Sequence, residues 1–344
     1  MPSVTASPSA TGTATFSEGG TESWSSTGNV TASDNSDATL TLAGTTSTID
    51  SYSTAGGVGF QIGSHTFNRR GQSFAVGEYR RIEQVSVRLW KVGSPTGNAV
   101  IKIYAHTGTY GSGTPTGSAL ATSDNLDVST IAGSSTQYDI AFSGANQIRL
   151  DANTKYFWIV EFTGGDGSNH INIENDGGAL GHAGNSVRST DGTSWSASSP
   201  DRDFWFSASG TTFEQSEYLH CSGFGFSIPT NATINGLLVE IEQDRGTATL
   251  AKELSVKLKN HAGGLHTTNK ATGATLPSGD SYISYGGASD TWGVDWVALT
   301  VGAINHADFG VAFAVEAPAG APTVDHMRLT IYYSIPSGGF FGLM

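Results

Sequence analysis

The residues of this chain that could do chemistry are concentrated in acidic loops. Asp34, Asn35 and Asp37 fall together in "ASDNSDAT", Asp166 lies in "TGGDGSNH", and Asp201 and Asp203 lie in "SPDRDFW". Short Asp/Asn loops can hold Ca²⁺ through carboxylate and carbonyl oxygens, which makes Asp34, Asn35 and Asp37 the candidate cation ligands. Their spacing matches neither an EF-hand nor a repeated calcium motif. Asx turns, in which the side chain hydrogen-bonds the backbone just ahead of it, explain the same residues without a metal. No cofactor is expected. Nine histidines include no His-x-His, His-Glu-x-x-His or Cys/His pairing, and His261 and His266 in "NHAGGLHTTNK" read as solvated loop residues.

Catalysis finds little footing. There is no Gly-x-Ser-x-Gly elbow, and the single cysteine, Cys221, has no activating partner in sequence. It reads as a small buried hydrophobe. Gly-rich runs are not followed by helices, so no phosphate cradle is expected. A pair of carboxylates could still act on a glycoside if the fold brought them together. The expectation is a protein that is not an enzyme.

Aromatic side chains offer a different chemistry, stacking. Trp24, Trp90, Trp158 and Trp205 sit in or beside apolar strands and are expected in the core. Trp195, in the polar loop "DGTSWSASSP", is placed to stack on a sugar ring, with Asp191, Asp201 and Tyr110 as accompanying glycan contacts. Trp292 and Trp296, in "DTWGVDWVAL", are further candidates. The competing reading is that each tryptophan anchors its own loop to a sheet edge. The end of the chain, "SIPSGGFFGLM", carries Phe340, Phe341, Leu343 and Met344 on a Pro-Ser-Gly-Gly hinge. Four large apolar side chains are costly to leave in water, so these residues are the candidate partner-docking site.

The elements that must position these residues are strands. Apolar runs rich in Val, Ile, Phe, Tyr and Trp alternate with Gly-, Asn- and Ser-rich turns, and no helix of three turns is visible. Val85, Val87 and Leu89 share a face, and "TKYFWIVEF" (154–162) suits a central strand covered on both faces. "GFGFSIP" reads as a strand with Phe224, Phe226 and Ile228 alternating; in the next, Leu237, Val239 and Ile241 oppose Leu238, Glu240 and Glu242. "KELSVKLKN" turns Leu254, Val256 and Leu258 inward, "FGVAFAVEA" does so with Phe309, Val311, Phe313 and Val315, and "HMRLTIYYS" puts Met327, Leu329, Ile331 and Tyr333 on one face.

Bulk composition narrows the function classes. A formal net charge of −13 argues against nucleic-acid binding, and the basic pairs Arg69-Arg70 and Arg80-Arg81 read as a solvated turn and strand end. One cysteine excludes an intramolecular disulfide framework. The N-terminal residues show no apolar signal region, and no run approaches the roughly 18 apolar residues a membrane span needs. No membrane partner is therefore expected.

The succession "W…GN…ASDN…AT…L", "YL…FGFSIP…ATINGL.VEIE", "YGGASDTWG" and "LTIYY" resembles a β-sandwich module of tailed-bacteriophage structural proteins. In that module the Trp-Gly-Asn-Asp segment runs directly into the Tyr-Leu segment. Here a whole patterned unit separates them, and it is similar to the jelly-roll modules called choice-of-anchor domains in some bacterial proteins, on "GQSFAV", "VSVRLWKVGSPTGNAVIKIY", "LDANTKYFWIVEF" and "DGTSWSASSPDRDFWFS". The expected fold is all-β, with two jelly-roll or β-sandwich domains, one inserted into a loop of the other. The expected layout is a flexible arm over 1–20, a host sandwich over 21–50 plus 209–335, an inserted jelly roll over 51–208 and an apolar tail over 336–344. The resemblance implies a structural protein of a virion surface, a capsid decoration or tail-associated part assembled in the host cytoplasm. Its expected partners are major capsid or tail proteins and further copies of itself. The alternative is a carbohydrate-binding adhesion module directed at host surface glycans.

Overall fold

A computed structural model describes residues 2–14, 20–54, 56–178, 181–198, 202–294 and 301–336. The fold is all-β, and the helices among the described residues are three 3₁₀ turns and the single α-turn Val301–Ile304. The chain divides into two compact units, residues 1–44 with 213–344, and residues 45–212. The divisions fall at 44/45 and 212/213 rather than at 50/51 and 208/209. The strand Thr46–Tyr52 pairs along Phe206–Thr212, so both flanks of the expected boundary belong to the inserted unit.

In the discontinuous unit, one sheet runs Ser3–Ala6, Thr323–Ser334, Thr233–Asp244, Ser281–Gly287, with Ala38–Thr39 also on Thr323–Ser334. The other runs Glu214–Gln215, Gly310–Ala317, Tyr218–Ser222, Ala10–Ala14, with Lys252–Lys259 also on Gly310–Ala317. Alternation places Leu237, Val239, Ile241, Met327, Leu329 and Ile331 of the first sheet in one core with Leu219, Val256, Leu258, Val311, Phe313 and Val315 of the second. Cys221 is buried in that core beside Met327, and its burial pushes the thiol far up from its ordinary range.

Three expectations are corrected here. The described part of the N-terminal arm is built into the sheets: Ser3–Ala6 pairs with Thr323–Ser334, and Ala10–Ala14 pairs with Tyr218–Ser222. An edge strand is held by backbone hydrogen bonds, which Ser, Thr and Ala supply as well as apolar residues do. The Phe224-Phe226-Ile228 segment is buried but is not a strand. Gly223 and Gly225 adopt left-handed φ of 69° and 67°, which ends the extended run at Ser222. The two Phe rings then stack at 5.7 Å, and Asn305 clamps the Ile228 backbone from both sides. Leu254 faces away from Val256 and Leu258, toward Tyr218 and Ala314, because the register slips between Glu253 and Ser255.

The inserted unit has two seven-stranded antiparallel sheets, counting Leu126–Asp127 on Asn98–Thr107 in the first and Thr136–Ala141 and Arg149–Leu150 on Arg80–Val92 in the second. The first runs Thr114–Thr122, Asn98–Thr107, Thr154–Glu161, Arg69–Val76, Ser186–Ser189, Ser196–Ala197. The second runs Thr46–Tyr52, Phe206–Thr212, Arg80–Val92, His170–Asn175, Val58–Ile62. Thr154–Glu161 is covered on both faces: Trp158 and Val160 enter the main core, and Phe157 and Ile159 a smaller cluster on the outer face. Trp24 and Trp158 are core residues, whereas Trp90 and Trp205 are half-buried, with Arg88 lying 4.8 Å over the Trp205 ring.

Candidate functional site

The outer face of the Thr154–Glu161 sheet gathers the polar and aromatic residues that could meet a ligand. Tyr104, from the neighbouring strand Asn98–Thr107, and Val187, from Ser186–Ser189 beyond Arg69–Val76 on the other side, are buried with Phe157 and Ile159, and the half-buried Trp195 packs on them. Trp195 meets Tyr104 edge-on, 5.6 Å between centroids and 67° between planes. That pairing gives no shared flat platform for a sugar ring. Asp191 is spent on its own turn: its carboxylate accepts from the Thr193 and Ser194 amides at 2.8 and 2.7 Å and from the Ser189 hydroxyl at 3.1 Å. Those amides hold the carboxyl far below its ordinary value. Arg69 reaches the Thr190 carbonyl and pairs with Glu161, which also binds Lys102 at 2.7 Å. The 189–195 turn is thereby fastened to the sheet by its own aspartate, an arginine and a tryptophan.

Tyr110 keeps different company. It lies 6.1 Å from His106, whose ring stacks flat on Phe157 at 5.1 Å, and Lys155 sits 5.4 Å over the Tyr110 ring. Burial, then the charges of Asp50 and Asp203, raise the Tyr110 hydroxyl well above its ordinary value. Asp201, Trp296, Phe340, Phe341, Leu343 and Met344 lie outside the described residues. Trp292 is fully buried, with its indole N–H donated to the Leu237 carbonyl at 3.1 Å.

Beside Tyr110 stands a cluster that the sequence did not reveal. Gln72 comes from a strand of the first sheet, Asp50 from the second, and His182 and Asp203 from loop segments. Asp203 accepts from Gln72 Nε2 and from the Gly181 and His182 amides, each at 2.8 Å. The His182 Nδ1 accepts from Gln72 Nε2 and the Gly184 amide, both at 3.0 Å, which places the ring proton on Nε2, 3.3 Å from both Asp50 oxygens. Asp50 also accepts from the Ala75 and Ser51 amides at 2.8 Å. Burial raises the Asp203 carboxyl; in Asp50 burial pulls the same way, but the His182 and Ala75 hydrogen bonds win and lower it. Both ring nitrogens of His182 are engaged, so the imidazole has no lone pair left to take a proton from a substrate. The cluster joins distant segments by hydrogen bonds and is equipped to hold the fold.

The acidic loop proposed for calcium resolves into two parts. Asp34 accepts from the Ser36 amide at 2.9 Å, and Asn35 takes a left-handed φ of 59°, which together make an Asx turn. Asp37 stands apart, directed to the edge of the discontinuous unit's first sheet. A hollow of about 210 Å³, lined by Asp124, Leu126, Asp139 and Ile140 among others, is smaller than the roughly 300 Å³ at which small-molecule sites begin.

No family model matches the chain, and no curated protein matches it. Among solved structures it is similar to a candidate secreted protein of Parabacteroides distasonis ATCC 8503, with 6% identity, 96% of this chain and 99% of that one covered, and a TM-score of 0.29. It is also similar to the N-terminal CBM22-1-CBM22-2 tandem of Paenibacillus barcinonensis Xyn10C, with 9% identity, 94% and 98% covered, and a TM-score of 0.21.

Proposed function

We propose that this chain is a non-enzymatic structural protein at the surface of a tailed-phage particle, acting by docking to other virion proteins while a β-sandwich faces outward. The observation that supports it is the use the fold makes of its chemically capable residues. Asp191, Asp203, Asp50 and His182 each meet several internal hydrogen-bond partners, and Trp195 is seated on its own sheet. A glycosidase would need one carboxyl free to donate and another facing the sugar. The resemblance of the Trp24 to Leu42 and Tyr218 to Gln243 segments to phage modules supports the same reading.

Immunogold electron microscopy with antibody against residues 45–212 tests it on a lysate of the source organism. Gold spread over capsids supports a decoration protein, and gold at one end supports a tail part. Labelled cell envelopes beside bare virions would sink it. Carbohydrate binding is the second reading, favoured by the half-buried Tyr110 with Lys155 over its ring. Retention on a glycan array that is lost in Tyr110→Ala would support this second reading.

A further inference from the structure

The discontinuous unit contains a carboxylate that its own fold leaves unmet. Asp325 is fully buried, and neither of its oxygens has a hydrogen-bond partner. Taking a carboxylate out of water without donors or a counter-charge costs several kcal/mol. The backbone explains how it comes to be there. Glu242 pairs with His326 and Gln243 with Val324, so Asp325 is the extra residue of a β-bulge in Thr323–Ser334. A bulge re-aims a side chain, and this one frees Asp325 from strict alternation.

Other carboxylates gather at the same sheet end. Val324 pairs with Ala38, so Asp37 precedes the strand residue that faces Asp325's neighbour. Asp244 pairs with Thr323, and Asp280 precedes Ser281, the partner of Gln243. Four adjacent strands or strand ends thus each bring one aspartate. Asp37 Oδ1 is itself buried without a partner, while the Thr323 hydroxyl hydrogen-bonds the Asp37 carboxylate. Burial and then Asp280, Asp325 and Asp244 raise the Asp37 carboxyl above its ordinary value; burial and then Asp244, Asp325 and Glu242 do so for Asp280. Like charges on neighbouring strands repel. The nearby His326 does not relieve them: its nitrogens meet the Tyr282 hydroxyl at 2.7 Å and the Ser7 hydroxyl at 2.9 Å.

We propose that this sheet end is a calcium site, with Asp325 and Asp37 as its two protein carboxylates. Among the described residues no three His, Cys, Asp or Glu side chains form a ready-made metal centre. The remaining oxygens come from neighbouring hydroxyl and carbonyl groups and from water, while Asp244 and Asp280 add negative field. Ca²⁺ accepts six to eight oxygens in irregular arrangements, whereas Mg²⁺ demands a near-ideal octahedron, so an irregular two-carboxylate site at a strand bulge favours calcium.

The test is thermal unfolding of the full chain by calorimetry, in chelator and in about 2 mM CaCl₂ or MgCl₂, with isothermal titration of Ca²⁺. The parent's host transition is expected to rise by about 5 °C or more in calcium and much less in magnesium. Asp325→Asn should fold in chelator at least as well as the parent yet lose the calcium shift, and Asp37→Asn should weaken calcium binding at least tenfold. A parent that shows neither heat of binding nor a shift overturns the proposal. So does a shift retained in both variants, or an equal one in magnesium.

Discussion

Each unit of the molecule buries acidic side chains, and the two treat them differently. In the inserted unit, Asp203 and Asp50 each meet three donors, drawn from backbone amides, Gln72 and His182. In the discontinuous unit, Asp325 meets none, and Asp37 Oδ1 meets none. The first arrangement is complete within the chain, and removing an acid leaves donors stranded. In the second the acids face one another, and removing one relieves repulsion. A buried charge stabilises or destabilises according to whether its partners are already in place.

Substitution at Asp203 breaks the complete cluster most severely. Asp203→Ala strands Gln72 and the Gly181 and His182 amides and should cost about 3–5 kcal/mol, read as a lower urea midpoint for the inserted unit. The opposite sign is expected for Asp325→Asn in chelator, a gain of about 1–2 kcal/mol for the discontinuous unit, seen in the same urea titration. A loss there would mean that the fold does meet Asp325.

The pH dependence sharpens the contrast by direction alone. Asp37 and Asp280 have carboxyls raised above 3.8 by folding. Their contribution is fully present below that value and is lost as the pH rises through the raised values. Without calcium, the discontinuous unit should therefore lose stability from these groups as the pH rises from 3.8 through their raised values. In the inserted unit Asp203 pulls the same way, while Asp50, lowered, contributes stability that is lost only as the pH falls through its depressed value. Asp191, also lowered, adds to that loss at low pH, so Asp50 and Asp191 should weaken the inserted unit as the pH falls, whereas Asp37 and Asp280 weaken the discontinuous unit as it rises, as read by melting each unit's transition across a pH series. The smallest effect belongs to Asp34→Ala, which removes one exposed Asx-turn hydrogen bond and should shift stability by no more than about 0.5 kcal/mol.

The strands were readable where alternation is strict. Leu237, Val239 and Ile241, or Phe309, Val311, Phe313 and Val315, announce their core face two residues at a time, and all are buried in one core. Reading failed wherever the backbone changes period. Gly223 and Gly225 turn an apparent strand into a buried irregular segment, and slips at Leu254 and Asp325 send side chains where parity does not. The candidate cation ligands were legible only as a loop. Asp37 was visible, but its companion Asp325 lies 288 positions away and shows itself through a bulge that no local pattern encodes. Asp50, Gln72, His182 and Asp203 are dispersed in the same way. A useful signal was the Asp203 to Phe206 run, where an acid stands directly against the apolar "FWF" and must be met by donors if it is buried.

The pairing of Ser3 with Tyr332 and of Ala10 with Ser222 also sets an order of events during synthesis. All strands of the inserted unit are made by residue 212, so it can close while the remainder is still being translated. The N-terminal segment has nothing to pair with until Tyr218–Ser222 and then Thr323–Ser334 emerge. Ser3–Ala6 and Ala10–Ala14, made before the inserted unit, are thus among the last strands to find their places, and the discontinuous unit is expected to be the slower of the two to fold.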